Sequence, residues 1–222
     1  MFSTFHLPRA RFAEVSLETL AQEDEARFGT PVRSRLLDPV YCQRLLDTEH
    51  ARRGITHSYG DYFTSRRATW RGGYQEHDQR FIHLGLDIAV PEGTPVTTPF
   101  AASVEILDID QDQDGGWGGR VFLKSSLYRH MPVLLLAHLA GDFLVQRGDI
   151  IPEGTALGFI ADSIVNGGWF PHLHAQAIAR QDWPCVKDNL QHLDGYCTQA
   201  HAEKLATIFP NPLPYLLRKQ KS

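Results

Sequence analysis

The stretch Phe81-Ile-His-Leu-Gly-Leu-Asp-Ile-Ala-Val90 marks a change in the character of the chain. Upstream of it the sequence is polar, and its apolar residues recur at helical spacing. From about Ile82 onward, short β-rich segments are separated by Gly and Pro, which is typical of an antiparallel sheet. We therefore predict an α+β fold that is mainly antiparallel β, with flanking N-terminal and C-terminal helices. The candidate strands are residues 86–90, 102–108, 120–125, 133–138, 156–160 and 173–179.

The predicted helices lie on either side of this β-rich region and divide the chain into three parts. One is predicted over residues 17–28. A second begins at Asp38-Pro39, where an N-cap oxygen precedes a first-turn proline, and stops at Gly54. A third is predicted around residues 198–208. The expected regions are a helical N-terminal extension (1–79), a β domain (80–180), and a C-terminal extension with a helix, packed on the main domain (181–222).

Composition limits the classes of function. The 222 residues include 22 Lys and Arg against 26 Asp and Glu, which gives a net charge of −4. A nucleic-acid partner is not expected, because phosphate binding depends on clustered basic side chains. The longest apolar run, residues 131–137, is too short to span a bilayer. These observations favour a soluble enzyme or binding domain, and they leave the oligomeric state open.

The N-terminus and the cysteines bear on the cellular compartment. The first residues lack a basic start followed by an apolar stretch of signal-peptide length. Cys42, Cys185 and Cys197 are an odd number without a Cys-x-x-Cys spacing, which favours free thiols over a Cys185–Cys197 disulfide. A cytoplasmic location is the default expectation, and the periplasm or cell envelope is the alternative if the chain is exported by a non-standard route.

Two short motifs place potential ligands on one face of a strand. In His83-Leu-Gly85-Leu-Asp87, the alternation of a strand points the His, Gly and Asp residues the same way, and the glycine leaves room for a metal between two ligands. His172-Leu-His174 repeats the arrangement with two imidazoles. Either motif alone is more often structural than metal-binding. Their occurrence together, with a lone histidine between them, is much more specific.

That lone histidine is His138, which follows the apolar run of residues 133–137. An imidazole in such a position needs a hydrogen-bond partner or has a functional role. Two His nitrogens and one carboxylate oxygen suit a catalytic zinc, which keeps a position for water. The five candidate groups are more than a metal needs, so the surplus could act as general base and transition-state stabiliser. The remaining histidines are expected to have surface or structural roles: His6, His50, His57, His77, His130, His192 and His201.

These motifs, in this order, resemble the lysostaphin/LytM-type zinc metalloendopeptidases, a family that cuts peptidoglycan cross-links and related glycyl bonds. The resemblance covers roughly residues 80–178, and the family's His-x-Gly-x-Asp motif is present as His83-Leu-Gly-Leu-Asp87. Further matches are Gly93-Thr-Pro-Val96, Gly116-Trp-Gly118, Ala137-His138-Leu139 and Pro171-His-Leu-His174. The resemblance implies a β-sheet domain with a groove. It also implies that His83, Asp87 and His174 bind Zn²⁺, with His138 and His172 as catalytic residues.

The loop before the last motif departs from the common family pattern. Asn166-Gly-Gly-Trp169-Phe replaces a loop of small residues and would place Trp169 at the groove edge. Trp117 and Trp169 are candidate substrate-binding residues, since glycine-rich peptides offer a flat backbone surface, and Asn166 is a third candidate. Core packing is an equal alternative for either tryptophan. This form of the motif looks like a subgroup found beside, or fused to, aminotransferase and phosphotransferase domains.

Three functions follow as hypotheses. The first is zinc-dependent hydrolysis of peptide bonds in peptidoglycan-type or glycine-containing peptides, with a metal-activated water and with proton transfer by one of His138 and His172. The second is a zinc hydrolase acting on a cytosolic small amide or metabolite. The third is a non-catalytic binding module. An autoinhibitory N-terminal region, with His57 or His77 on the metal, is a minor possibility beside ordinary scaffold packing.

Overall fold

A central β-sheet carries most of the residues singled out above. The computed structural model describes residues 2–5, 12–29, 38–71 and 73–217. Twelve strands lie among these residues. They are β1 (Phe12–Glu14), β2 (His57–Gly60), β3 (Ile82–His83), β4 (Leu86–Ala89), β5 (Pro95–Thr97), β6 (Ala102–Asp110), β7 (Gly118–Ser125), β8 (Val133–Leu139), β9 (Ile150–Ile151), β10 (Ala156–Phe159), β11 (His172–Ile178) and β12 (Tyr196–Cys197).

Eight of these strands form one sheet, in the order β1-β2-β4-β11-β8-β7-β6-β9. All neighbours in it are antiparallel except β1 and β2, which are parallel. β10 pairs with β5, and β12 pairs with β3, in two smaller sheets. The predicted α+β fold with a mainly antiparallel sheet is confirmed. Each predicted strand is present, with ends displaced by at most two residues.

Five α-helices lie among the described residues, and a side-chain capping bond is present at the start of the first two. They are α1 (Leu17–Phe28), α2 (Pro39–Arg53), α3 (Trp183–Asp188), α4 (Ala202–Ile208) and α5 (Leu213–Leu216). The Asp38 side chain accepts a hydrogen bond from Tyr41 N at the start of α2, and Gly54 ends that helix with φ +61°. No helix among the described residues is both long and apolar enough to cross a membrane.

The N-terminal region is less purely helical than the sequence predicts, because β1 and β2 extend the central sheet beyond β4. Ser58 lies opposite Ala89, and Gly60 lies opposite Asp87. A run of four residues is the shortest that can show an alternating pattern in sequence. At the other end, β12 pairs with β3, so that Tyr196 lies opposite His83. Segments on both sides of residues 80–180 thus reach the strands that carry the candidate ligands.

Apolar residues cover both faces of the sheet. Leu86, Ile88, Leu173 and Ala175 point into one core, while alternate residues on these strands point the other way. The opposite face is covered in part by α3 and α4, through Trp183 of α3 and Leu205 and Ile208 of α4. Cys42, Cys185 and Cys197 form no disulfide among the described residues.

Candidate metal centre

The register between β4 and β11 brings the two histidine motifs together. His174 lies directly opposite Asp87, and Leu173 lies opposite Ile88. Because side chains alternate across a strand, Asp87 and His174 share the face opposite the Leu173 side. His83 reaches the same place from β3, and its side chain is almost fully buried.

Three ligand atoms converge there at the separations a tetrahedral metal requires. His83 Nε2 is 3.2 Å from His174 Nδ1, His174 Nδ1 is 3.0 Å from Asp87 Oδ1, and His83 Nε2 is 3.5 Å from the same oxygen. Zinc–ligand bonds of about 2.0–2.1 Å in a tetrahedron imply ligand–ligand separations of about 3.3–3.4 Å. These three residues are also the one cluster of at least three potential metal ligands found within the described ranges. The donor set therefore fits Zn²⁺ with one position left over.

The outer nitrogens of the two ligand imidazoles donate to oxygens, which leaves the inner nitrogens free to bind a cation. His83 Nδ1 donates to the Asp61 carbonyl at 2.9 Å. His174 Nε2 donates to Gln176 Oε1 at 3.1 Å. A metal-binding histidine ordinarily has such an acceptor on its other nitrogen, because the contact fixes both the tautomer and the ring orientation.

A β-bulge brings His138 to the site. Regular alternation along β8 would put His138 on the same face as Leu134 and Leu136, inside the main core. Instead, the register of β8 with β7 shifts near its end, His138 adopts φ +66°, and Leu139 takes the core position. Bulges of this kind redirect a side chain at the edge of a functional site.

His138 and His172 lie beside each other in the same cavity, with ring centroids 4.5 Å apart. His138 Nδ1 donates to the Asn166 carbonyl at 3.0 Å, and His172 Nδ1 donates to the Phe170 carbonyl at 2.7 Å. Both rings therefore keep Nε2 for proton transfer. All five side chains of the set predicted from the sequence thus line the same cavity.

Burial and neighbouring charge favour the protonation states that metal binding needs. Burial holds the pKa of His83 well below its ordinary value of 6.5, and the Arg66 guanidinium adds to this effect. Burial also lowers the pKa of His138, with a contribution from the neighbouring His172. Burial alone would raise the pKa of Asp87, but Arg66 and the adjacent imidazoles hold it well below 3.8. A cation at this position would meet an ionised carboxylate.

The three predicted substrate-binding residues occupy different environments. Trp117 is half-buried, lines the cavity, and packs edge-on to His174 with ring centroids 5.3 Å apart. Trp169 also lines the cavity but is only 5 % exposed, and its Nε1 donates to the Gly116 carbonyl at 2.8 Å. Asn166 is fully buried and is not among the residues that line the cavity. The structure therefore does not support direct substrate contact by Asn166, because its side chain is used within its own loop.

Several cavity residues are not indicated by the sequence motifs. Arg66 and Gln75 come from the N-terminal region, and Asp194 comes from the C-terminal region, where it forms an ion pair with Arg80. The Gln75 side chain is buried, and its Oε1 has no hydrogen-bond partner in the part of the chain that the structure describes. No motif marks these residues, since only the folded chain brings them to the site.

The described histidines outside the motifs are not among the residues that line this cavity. His57 and His77, the two considered as occupants of the metal's open position, are not among its lining residues. The same holds for His50, His130, His192 and His201. His6 lies outside the residues that the structure describes.

Comparisons with known proteins match one segment of the chain to a described family. Residues 81–184 match the family described as peptidase family M23. No curated protein matches the chain. Among solved structures, a peptidase M23 protein from Pseudomonas aeruginosa is 27% identical over 43% of this chain and 37% of its own, with a TM-score of 0.36. A zinc-containing peptidase from Vibrio cholerae is 22% identical over 45% of this chain and 28% of its own, with a TM-score of 0.37. The lysostaphin catalytic domain from Staphylococcus simulans is 18% identical over 61% of this chain and 80% of its own, with a TM-score of 0.40. The alignments thus span well under half the length of the first two of these chains.

Proposed function

We propose, from the membership of residues 81–184 in peptidase family M23, that this chain is a zinc-dependent metallopeptidase that hydrolyses peptide bonds. The observation that carries the proposal is the triangle of His83 Nε2, Asp87 Oδ1 and His174 Nδ1, whose sides measure 3.0 to 3.5 Å. Those separations suit three ligands of a tetrahedral zinc. The two additional imidazoles in the same cavity provide the acid–base groups that hydrolysis of an amide needs.

His83, Asp87 and His174 would hold the metal. Zinc in this position would act as a Lewis acid on the amide carbonyl and would lower the pKa of a water molecule. One of His138 and His172 accepts the proton of the attacking water at Nε2 and returns it to the leaving amine. The other takes up a proton from solvent at Nε2 as negative charge develops on the carbonyl oxygen, donates a hydrogen bond to that oxyanion, and releases the proton when the intermediate collapses. The backbone carbonyls that hold each Nδ1 hydrogen keep both rings oriented during these steps.

The substrate we propose is a peptide of the peptidoglycan type or one containing glycine. Trp117 supports this choice, because a half-buried indole on the cavity wall offers a flat surface to a backbone without bulky side chains. Arg80 and Asp194, on either side of the family segment, add one charge of each sign to the same cavity. A polar peptide backbone suits such a mixed lining better than an apolar ligand does.

The test starts with the metal content of the purified chain, measured before and after treatment with a chelator. The chain is then incubated with pentaglycine, with purified cell-wall fragments and with a peptide library, and the products are read by mass spectrometry. We expect about one zinc per chain, cleavage in at least one peptide pool, loss of cleavage with the chelator, and recovery on adding zinc. Zinc binding without cleavage of any peptide would overturn the peptidase proposal in favour of a small-amide hydrolase or a binding module. Absence of zinc binding would overturn the metal assignment itself.

A further inference from the structure

Arg66 touches one of the candidate metal ligands from outside the family segment. Its backbone is held next to that segment, because Arg66 N donates to the Phe81 carbonyl at 2.8 Å. Its side chain is almost fully buried. Arg66 Nη2 donates to Asp87 Oδ2 at 2.5 Å, and Nη1 donates to the Tyr196 hydroxyl at 2.8 Å. A charged hydrogen bond this short, away from solvent, is among the stronger polar contacts that a protein makes.

The two carboxylate oxygens of Asp87 therefore have different partners. Oδ1 is the oxygen that lies 3.0 Å from His174 Nδ1 and 3.5 Å from His83 Nε2. Oδ2 is the oxygen that accepts the hydrogen bond from the Arg66 guanidinium. A carboxylate can bind a metal through one oxygen or through both, and a guanidinium bonded to one oxygen competes with the metal for that oxygen.

We propose that Arg66 is a positioning residue that restricts Asp87 to one-oxygen coordination of the cation and holds Oδ1 toward the two histidines. The inference rests on the proposed zinc site. It also makes the N-terminal region a part of that site, because Asp61 in the same region accepts from His83 through its carbonyl at 2.9 Å. Two of the three ligands are thus oriented by residues that precede the family segment.

A purely structural ion pair would also bury Arg66, so the test needs a measurement that follows the metal rather than the fold. Arg66→Ala removes both contacts and also the ion pair in which Arg66 Nη2 lies 3.6 Å from Asp61 Oδ2. Arg66→Lys keeps the charge but cannot reach Asp87 and Tyr196 with the same planar fork. Arg71→Ala is the matched control, because Arg71 is a nearby, half-exposed arginine whose ion pair is with Glu25 rather than with a ligand. Folding of each variant is followed by circular dichroism and thermal unfolding.

Zinc affinity is measured for the full chain by competition with a chromophoric chelator, and coordination is measured from the visible absorption of the Co²⁺-substituted chain. In Arg66→Ala we expect about 10–100-fold weaker zinc binding, the usual cost of removing such an outer contact. We also expect weaker visible bands per cobalt, because a freed Oδ2 raises the coordination number. Arg66→Lys should shift both readouts in the same direction by less, and Arg71→Ala should shift neither.

Folded Arg66→Ala and Arg66→Lys variants with wild-type zinc affinity and cobalt spectrum would overturn the inference. If Arg66→Ala does not fold, Arg66→Lys decides the question by the same two readouts. Failure of the wild-type chain to bind zinc would instead overturn the proposed function, and this inference with it. The two failures are therefore distinguished by the wild-type measurement alone.

Discussion

Gly85 faces the imidazole of His174 so closely that a Cβ on Gly85 would overlap Cε1 and Nε2 of that ring. The glycine between His83 and Asp87 therefore has a more specific task than leaving room for a metal. It lets a ligand from β11 cross the chain that links β3 to β4. Two distant parts of the sequence depend on the absence of one methyl group, which explains why glycine separates the two ligands of the first motif.

Gly85→Ala is expected to displace His174 and to weaken zinc binding by at least about tenfold. The added methyl should also destabilise the fold by about 1–3 kcal/mol, as is usual for overpacking. Gly158→Ala is the control, because a Cβ there would meet no atom closer than 3.9 Å. Zinc titration and urea unfolding measure the two effects. A Gly85→Ala variant that binds zinc like the wild type would contradict the claim that His174 needs the space beside Gly85.

Loss of a metal ligand and loss of a proton-transfer group should have separable effects. Asp87→Asn retains nearly the same shape but removes the anionic ligand, so we expect a chain that folds and is purified largely without zinc. His138→Ala and His172→Ala should keep their zinc, because neither belongs to the three-atom cluster. Their hydrolytic rate should fall by about 10²–10⁴-fold, as for general acid–base groups.

The control for these variants is His130→Ala, which removes an exposed histidine that does not line the cavity. Metal content is measured by atomic emission, and rates are measured on the peptide that the wild-type chain cleaves best. Full zinc occupancy in Asp87→Asn would remove Asp87 from the ligand set. Wild-type rates in both histidine variants would remove their proposed role in proton transfer.

Acid should destabilise the metal-free protein. Burial lowers the pKa of His83, His138 and His172 below 6.5 in the folded chain. The unfolded chain therefore binds more protons than the folded chain once the pH falls below about 6.5, and the free energy of unfolding decreases on acidification. Each such histidine contributes at most about 1.4 kcal/mol per pH unit in this window. Asp87 stays ionised throughout it, since its pKa is held well below 3.8.

Urea unfolding at pH 7.5, 6.5 and 5.5 in the presence of a chelator measures how the free energy of unfolding depends on pH. His138→Gln should reduce this dependence on pH, because the substituted amide does not titrate. A free energy of unfolding that stays constant or increases between pH 7.5 and pH 5.5 would be inconsistent with neutral, buried imidazoles in the folded state.

The sequence predicts the sheet and the ligand motifs well, because both depend on local patterns. Alternation over residues 83–87 and 172–174 places the ligand side chains on one face, and the register of β4 with β11 then joins them. His138 could be singled out as a histidine in an apolar run, but not oriented. Strict alternation would bury it in the main core, and only the bulge in β8 turns it to the site.

Arg66, Gln75 and Asp194 could not be found in this way, because no local pattern links them to the ligands. Arg66 precedes Asp87 by 21 residues, and their contact depends on the bend that follows β2. The sequence does not predict strands β1 and β2 for a related reason: three residues do not reveal a period of two, and four are the shortest run that can. Tertiary pairing, rather than propensity, makes these residues a part of the sheet.

We expect Asn166 to affect catalysis by orienting His138 and not by contacting the substrate. Its carbonyl accepts from His138 Nδ1 at 3.0 Å, while its side chain bonds both backbone groups of Trp169, with Nδ2 donating to the carbonyl at 3.0 Å and Oδ1 accepting from the amide at 2.9 Å. Asn166→Ala removes the two side-chain bonds that hold the loop, but it keeps the carbonyl. We therefore expect kcat to fall while KM and zinc content stay close to those of the wild-type chain. Asn166→Asp should fall in between, because its carboxylate still accepts from Trp169 N but cannot donate to the Trp169 carbonyl. Steady-state kinetics decide the matter: a rise in KM at unchanged kcat in both variants would return Asn166 to the substrate-binding role that the sequence predicts.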